Sequence, residues 1–205
     1  MSLYKLTYFN GRGRAELARL IFAAAGVSFE DETFPFSEWP GNFKADTPLG
    51  QVPYLTIDGE KIPQSIAFSR MLAKRFNMVG NDEFEQLRTD VVVDTVTDLQ
   101  NNHYLREYDE TVIDNQAAME KFKSDEIPVH LERIEKIVSL YGNEGFSVGN
   151  SLKWSDLHVY DITSSMLKFD PNILNKYPKI QAIRKTVETN EKIAAYLKAR
   201  PETEF

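Results

Sequence analysis

"GQVPYLTIDGEKIPQS", residues 50 to 65, decides the fold. Two short β-type runs, Tyr54 to Ile57 and Lys61 to Ile62, flank Asp58-Gly59, a pair that closes hairpins because both central residues of such a turn need a left-handed backbone. A proline precedes the first run. Gln64 and Ser65 follow the second, and an apolar-rich segment from Ile66 to Phe76 then reads as a helix. An X-Pro bond is cis in only about 5–6% of folded cases, so Pro53 taken by itself is a plain strand start. Gln64-Ser65 taken by itself is a helix cap.

Upstream, Leu3 to Phe9 is strand-like, Ala15 to Ala25 is alanine-rich and helical, and Val27 to Phe34 is strand-like again. This is a βαβ opening, which favours a parallel strand pair. An irregular stretch with Pro35, Pro40, Gly41 and Pro48 leads into the hairpin, so the order is βαβ then ββα. Downstream, the polar stretch Asn77 to Asp82 with Gly80 marks a boundary, beyond which β signal almost vanishes. The division is an α/β domain over 1–76, a linker over 77–82 and an all-helical domain over 83–205. Leu87, Val91 and Leu99 mark one long helix. Ile127, Leu131, Ile134 and Val138 mark another, interrupted or bent at Pro128. The pattern is that of a thioredoxin-like domain joined to a helical bundle. A redox thioredoxin carries Cys-x-x-Cys after its first strand, whereas here that stretch reads Tyr8-Phe9-Asn10-Gly11-Arg12-Gly13-Arg14.

Composition narrows the chemistry. The chain has 205 residues, 42% of them hydrophobic, enough for one or two compact cores. Its first residues, MSLYKLTYF, lack a basic region followed by an apolar stretch, and no window approaches the roughly 18 apolar residues of a membrane span. The expected address is cytoplasmic. Cysteine is absent, so if thiol chemistry occurs the substrate brings the sulfur. A formal charge of −7 disfavours nucleic acid or an anionic membrane as partner. The glycines at 11 and 13 suggest a nucleotide loop, but G-x-G-x-x-G fails at Glu16.

YKLTYFNGRGRAE (4 to 16), EWP (38 to 40), GQVPYL (50 to 55), IPQSIAFSRMLAK (62 to 74), VVDTVTD (92 to 98) and ARPETEF at the end stand in an order that resembles the sigma class of cytosolic glutathione transferases, prostaglandin-isomerising members included. The resemblance spans the whole chain. It implies a thioredoxin-like domain followed by an all-α domain, a homodimer, glutathione as co-substrate and no required metal.

The resemblance also implies the site. A cis bond at Pro53 would turn the backbone of Val52 outward beside Gln51, where the extended peptide of glutathione could pair like an added strand. Gln64 and Ser65 would meet its γ-glutamyl carboxylate at a helix N-terminus, a place that favours anions. Trp39 and Lys44 would take the glycine end. Asp98 would reach the ammonium of glutathione held by the other subunit. Tyr8, otherwise a core or rim tyrosine, would donate its hydroxyl to the sulfur, helped by Arg14, which opens a helix where a cation is otherwise unfavourable. Bringing a thiol of pKa about 8.5 down by about two units needs roughly 2.7 kcal/mol, and one hydrogen bond to a charged group supplies about 1.5–3 kcal/mol.

Several positions depart from the pattern. Leu105 stands where prostaglandin-isomerising members of the class have a tryptophan, His158 replaces an aromatic, and Thr97 replaces an acid of a cluster that binds a divalent ion in some members. Asp90, Asp94 and Asp98 otherwise form a like-charged row of the usual solvated kind. The electrophile pocket expected from the resemblance comprises Phe9, Gly13, Leu105, His158, Ile162 and Phe205. The capping box of the helical domain reads Lys153-Trp154-Ser155-Asp156, without a hydroxyl cap. His103 and His130 read as structural or solvated. The expected function is transfer of glutathione to small apolar electrophiles. A glutathione-dependent isomerase or peroxidase, or a non-catalytic crystallin-like relative, are the alternatives.

Overall fold

The computed structural model describes residues 3–39, 44–108 and 116–203, with backbone only at 105–108. The chain forms two compact units. One runs through Asn77 and takes in the segment from Asn190 onward; the other spans Met78–Thr189.

The first unit opens with strand β1 (Tyr4–Phe9), a 3-10 turn (Gly13–Ala15), helix α1 (Glu16–Ala25) and strand β2 (Glu30–Phe34). Strands β3 (Tyr54–Ile57) and β4 (Glu60–Pro63) and helix α2 (Ser65–Arg75) follow. The four-stranded sheet has the order β2-β1-β3-β4, with β1 parallel to β2 and the other pairs antiparallel. The βαβ-ββα expectation is therefore met. At the hairpin, Asp58 (φ 49°) and Gly59 (φ 93°) are both left-handed, as a two-residue turn matched to strand twist requires. Asp58 Oδ1 also accepts the Leu3 N–H at 2.9 Å, tying the turn to the start of β1. Leu6 and Leu55 of the sheet are buried with Leu17, Leu20 and Ile21 of α1 and Phe68 and Leu72 of α2.

Helix α8 (Glu191–Ala199) packs on α1 in this same unit. The sequence division placed every helix after residue 82 in the second domain. A charged network rooted on α1 draws α8 to the first.

The second unit contains α3 (Glu83–Tyr108), α4 (Gln116–Lys121), a π-helical turn (Phe122–Glu126), α5 (Ile127–Tyr141), α6 (Trp154–Phe169) and α7 (Pro178–Thr189). Its core joins Val92, Val96 and Leu99 to Leu131, Ile134, Val159, Met166 and Ile180. The buried stripe of α3 runs through Thr89, Val92, Val93, Val96, Leu99, Gln100 and His103, at helical spacing. Leu87, which marked this helix in the sequence, is 57% exposed and lies with Phe84, 69% exposed, on the face opposite the buried stripe. Pro128 sits in the first turn of α5, where its missing N–H has no intrahelical partner to lose, and the irregularity falls just before it in the π turn. His103 and His130 are both buried, His103 stacked on Phe122 at 6.2 Å between centroids. No helix among the described residues is long and apolar enough to cross a membrane.

Candidate active site

The first strand ends in Tyr8 and Phe9, and the chain then turns back on itself into α1. Gly11 N–H donates to the Phe9 carbonyl at 2.7 Å, and Asn10 N–H to that of Phe34 at 2.9 Å. Gly13 has φ 38°, a left-handed conformation, and a Cβ there would run into the Tyr8 hydroxyl. Both reasons restrict the position to glycine. Arg14, half-buried, donates its backbone N–H to Tyr8 Oη at 3.3 Å. Accepting a hydrogen bond polarises a hydroxyl and makes it a stronger donor in turn. Turn 10–14 thus fits one tyrosine hydroxyl.

Beside Tyr8 lies an aromatic cluster. Phe9 is 5.3 Å from Tyr8, 5.1 Å from Phe36 and 5.5 Å from Trp39 between ring centroids, and Trp39 stacks on Phe34 at 6.2 Å. Lys44 is exposed, its aliphatic chain near Gly50. The Val52–Pro53 peptide is cis. Gln51 is exposed, Val52 half-buried and Pro53 buried.

Gln64 occupies the N-cap position of α2 but makes no side-chain cap, and its φ and ψ of 72° and 95° are rarely adopted by a residue with a side chain. The simple cap expected from these residues alone is not formed. Such an outlier is a pointer to function, because the surrounding structure has to hold it in place. Ser65, buried, begins the helix itself.

In the second unit, Asp98 is exposed on α3, on the face it shares with Phe84, Leu87 and Asp94. The residues expected to line an electrophile pocket divide. Phe9 and Gly13 adjoin Tyr8. His158 and Ile162, by contrast, are enclosed in the core of the helical unit and, as placed, line no open surface. The cause is a local pairing. Thr97 Oγ1 gives its proton to the Val93 carbonyl at 2.8 Å and stands 3.1 Å from His158 Nε2, which leaves the imidazole Nε2–H as the donor. Two departures from the family pattern, Thr97 and His158, are thus one hydrogen bond. Burial pushes the His158 pKa down to about 3. The side chain of Leu105 and all of Phe205 lie outside the described residues.

Two residues along α6, Asp156 accepts the N–H of Lys153 at 2.7 Å and that of Ser147 at 2.6 Å. Burial still pushes its carboxyl up to about 6 against those bonds. Lys153, at the N-cap in place of a hydroxyl, is buried and donates Nζ to the Val148 carbonyl at 3.0 Å and to Ser151.

Nothing in the sequence reading points to Glu16, Arg19, Asp31, Tyr196 and Arg200, which form a network behind the Tyr8 turn. The available signal was a Glu and an Arg three residues apart on an otherwise apolar helix, ELARLIFAAA.

The pattern of the glutathione S-transferase N-terminal domain matches residues 4–74, and that of the glutathione S-transferase C-terminal domain matches residues 94–200. The chain belongs to the glutathione S-transferase family. It is 33% identical over 206 residues to the hematopoietic prostaglandin D synthase of Homo sapiens, with 100% of both chains covered. It is 34% identical over 207 residues to S-crystallin SL11 of Nototodarus sloanii, again with 100% of both covered. Among solved structures, monomeric Na-GST-3 of Necator americanus, a glutathione S-transferase, superposes with a TM-score of 0.87 at 34% identity, covering 99% of this chain and 100% of that one. These relatives fit the sigma class, and the transferase fold and activity expected from the sequence stand.

Proposed function

We propose that this glutathione transferase binds its co-substrate along the first unit and holds it as thiolate for attack on small apolar electrophiles. Tyr8 donates its hydroxyl to the sulfur, with Arg14 beside it. The Val52 backbone, next to Gln51 and Pro53, pairs with the cysteinyl segment, Gln64 and Ser65 take the γ-glutamyl carboxylate, and Trp39 and Lys44 take the glycine end. Phe9 and the other rings of its cluster offer an apolar surface to the electrophile. The reading assigns the activation of the thiol to Tyr8 and Arg14 and enlists no metal. A homodimer in the cytoplasm, where glutathione is kept largely reduced, completes the reading. Supporting the dimer, Phe84 and Leu87 are exposed on the α3 face that carries Asp98, where a second subunit would cover them.

The observation that carries the reading is the Tyr8 hydroxyl, set against a turn whose Gly13 has no space for a side chain and polarised by the Arg14 N–H. Tyr8→Phe is expected to keep glutathione affinity within a few-fold and lower turnover roughly ten- to hundredfold, the worth of one hydrogen bond to a charged group. The check is the ultraviolet absorbance of the bound thiolate. If the mutant complex ionises at the same pH as the parent, Tyr8 is not the thiolate's partner.

A further inference from the structure

The turn that presents Arg14 to Tyr8 is gripped from inside the first unit. Arg19, 5% exposed, donates Nη1 to the Gly11 carbonyl at 2.7 Å and lies 3.5 Å from that of Arg12. Those two carbonyls belong to the residues just before Gly13 and Arg14. Arg19 is itself held by Asp31, through Nε at 2.8 Å and Nη2 at 3.2 Å, and it lies 3.6 Å from the carboxylate of Glu16.

Glu16 is 1% exposed, so its carboxylate depends on its partners. Two of them come from α8 and the residue that follows it: the Tyr196 hydroxyl donates at 3.0 Å, and the Arg200 guanidinium forms an ion pair. Burial and the nearby Glu16 carboxylate both raise the Tyr196 pKa, which keeps that hydroxyl protonated and donating. Two carboxylates and two guanidiniums balance. Without Arg200, the Glu16 carboxylate keeps Arg19 as its cation, and any swing of Arg19 toward it comes at the expense of the Gly11 carbonyl.

We propose that α8 and Arg200 position the thiol site. Arg200 and Tyr196 hold Glu16, Glu16 and Asp31 hold Arg19, and Arg19 sets the turn that brings the Arg14 N–H onto the Tyr8 hydroxyl. The proposal rests on the reading of Tyr8 as the thiolate donor. Glu16, Arg19, Tyr196 and Arg200 touch no substrate in this scheme and act through the turn alone.

The experiment uses the full chain with glutathione and reads the pH titration of the bound thiolate's ultraviolet absorbance, alongside kcat and KM. Variants are Arg200→Met, Arg200→Lys and Tyr196→Phe, with Tyr8→Phe as reference. Arg200→Met should raise the pKa of the bound thiol by about one unit and lower kcat about tenfold below that pKa, with KM for glutathione within about threefold. Arg200→Lys should recover part of the shift, and Tyr196→Phe should give a smaller shift of the same sign. Should Arg200→Met fail to fold, Tyr196→Phe, which removes a single oxygen, decides by the same titration. A purely structural role would lower the melting temperature and leave the thiol's titration unmoved. If Tyr8→Phe moves the titration while neither α8 variant does, the positioning role is wrong and the Tyr8 assignment survives. If Tyr8→Phe does not move it, the Tyr8 assignment itself is wrong.

Discussion

Two buried polar clusters, one in each unit, handle ionisation in opposite ways. Behind the Tyr8 turn, burial alone would lower the pKa of Arg19, yet the charge and hydrogen bonds of Asp31, with Glu16 beside them, raise it above the usual arginine value. On α6, His158 is equally enclosed and meets a threonine hydroxyl in place of a counter-charge, and burial pushes it down to about 3. Asp156 has two backbone N–H donors and is still pushed up to about 6. The difference lies in the partners. A buried group keeps its charge where a counter-charge meets it in hydrogen-bonding geometry, and neutral donors give only part of that support. Next to the proposed chemistry the charged form is favoured, whereas at His158 and Asp156 burial favours the neutral form.

The sharpest way to break this contrast is to remove the counter-charge. Arg19→Met leaves two carboxylates, Glu16 and Asp31, with one guanidinium, Arg200, and takes the donor from the Gly11 carbonyl, and it should lower unfolding free energy by about 3–5 kcal/mol, measured by urea denaturation. A loss under about 1 kcal/mol would show that the network is not held by its ion pairs.

The α6 pair gives the next largest effect, and its sign can be worked out. His158 has a folded pKa depressed to about 3 from 6.5, so its contribution to stability is complete above pH 6.5 and is lost as pH falls toward 3. Asp156 has a folded pKa raised to about 6 from 3.8, so its contribution is complete below pH 3.8 and is lost as pH rises through 6. Between about pH 4 and 6 the two slopes nearly cancel. His158→Gln, which can keep a donor toward Thr97, should gain about 2–3 kcal/mol of stability as pH drops across that window, and Asp156→Asn should lose a similar amount. Chemical denaturation at several pH values checks both, and parallel profiles for parent and variants would overturn the neutral-core account.

The smallest effect belongs to the exposed face of α3. Asp98→Ala is expected to raise KM for glutathione by no more than about fivefold, since exposed ion pairs are worth about 0.2–1 kcal/mol. If Asp98 serves the partner's site, refolding Asp98→Ala with Tyr8→Phe should give about half mixed dimers and restore roughly a quarter of all sites. Activity no higher than the average of the two refolded alone would remove Asp98 from the neighbour's site.

What was legible in the sequence was local. Asp58-Gly59 between alternating runs fixes a hairpin because few other residue pairs accept that turn, and β3 falls at Tyr54–Ile57 as read. The start of β2 slipped from Val27 to Glu30, since Val27 to Phe29 share the composition of a strand but do not pair with β1. Leu87 marked α3 correctly but not its buried face, because an exposed apolar residue is indistinguishable from a core residue in a single sequence. The site divides along the same line. Tyr8, Arg14, Gln64 and Ser65 stand in contiguous motifs, whereas the bond between Tyr196 and Glu16 joins residues 180 apart and leaves no trace in local pattern. His158 misled for a related reason: its partner, Thr97, lies on another helix, and only that pairing explains a histidine in an apolar core.

The return of α8 to the first unit has a consequence for biosynthesis. The strands of that unit leave the ribosome early, but the helix that closes over Glu16 follows only after residues 78–189. At about 5–20 residues per second the interval is roughly 6–20 s, during which α1 has its two inward-facing charges, Glu16 and Arg19, without the side chains of Tyr196 and Arg200. The helical unit can therefore finish first, although its chain begins second. A nascent chain halted before Asn190 would lack the residues that cover Glu16 on α1, so the unit whose chain begins first is the one whose last piece is synthesised last.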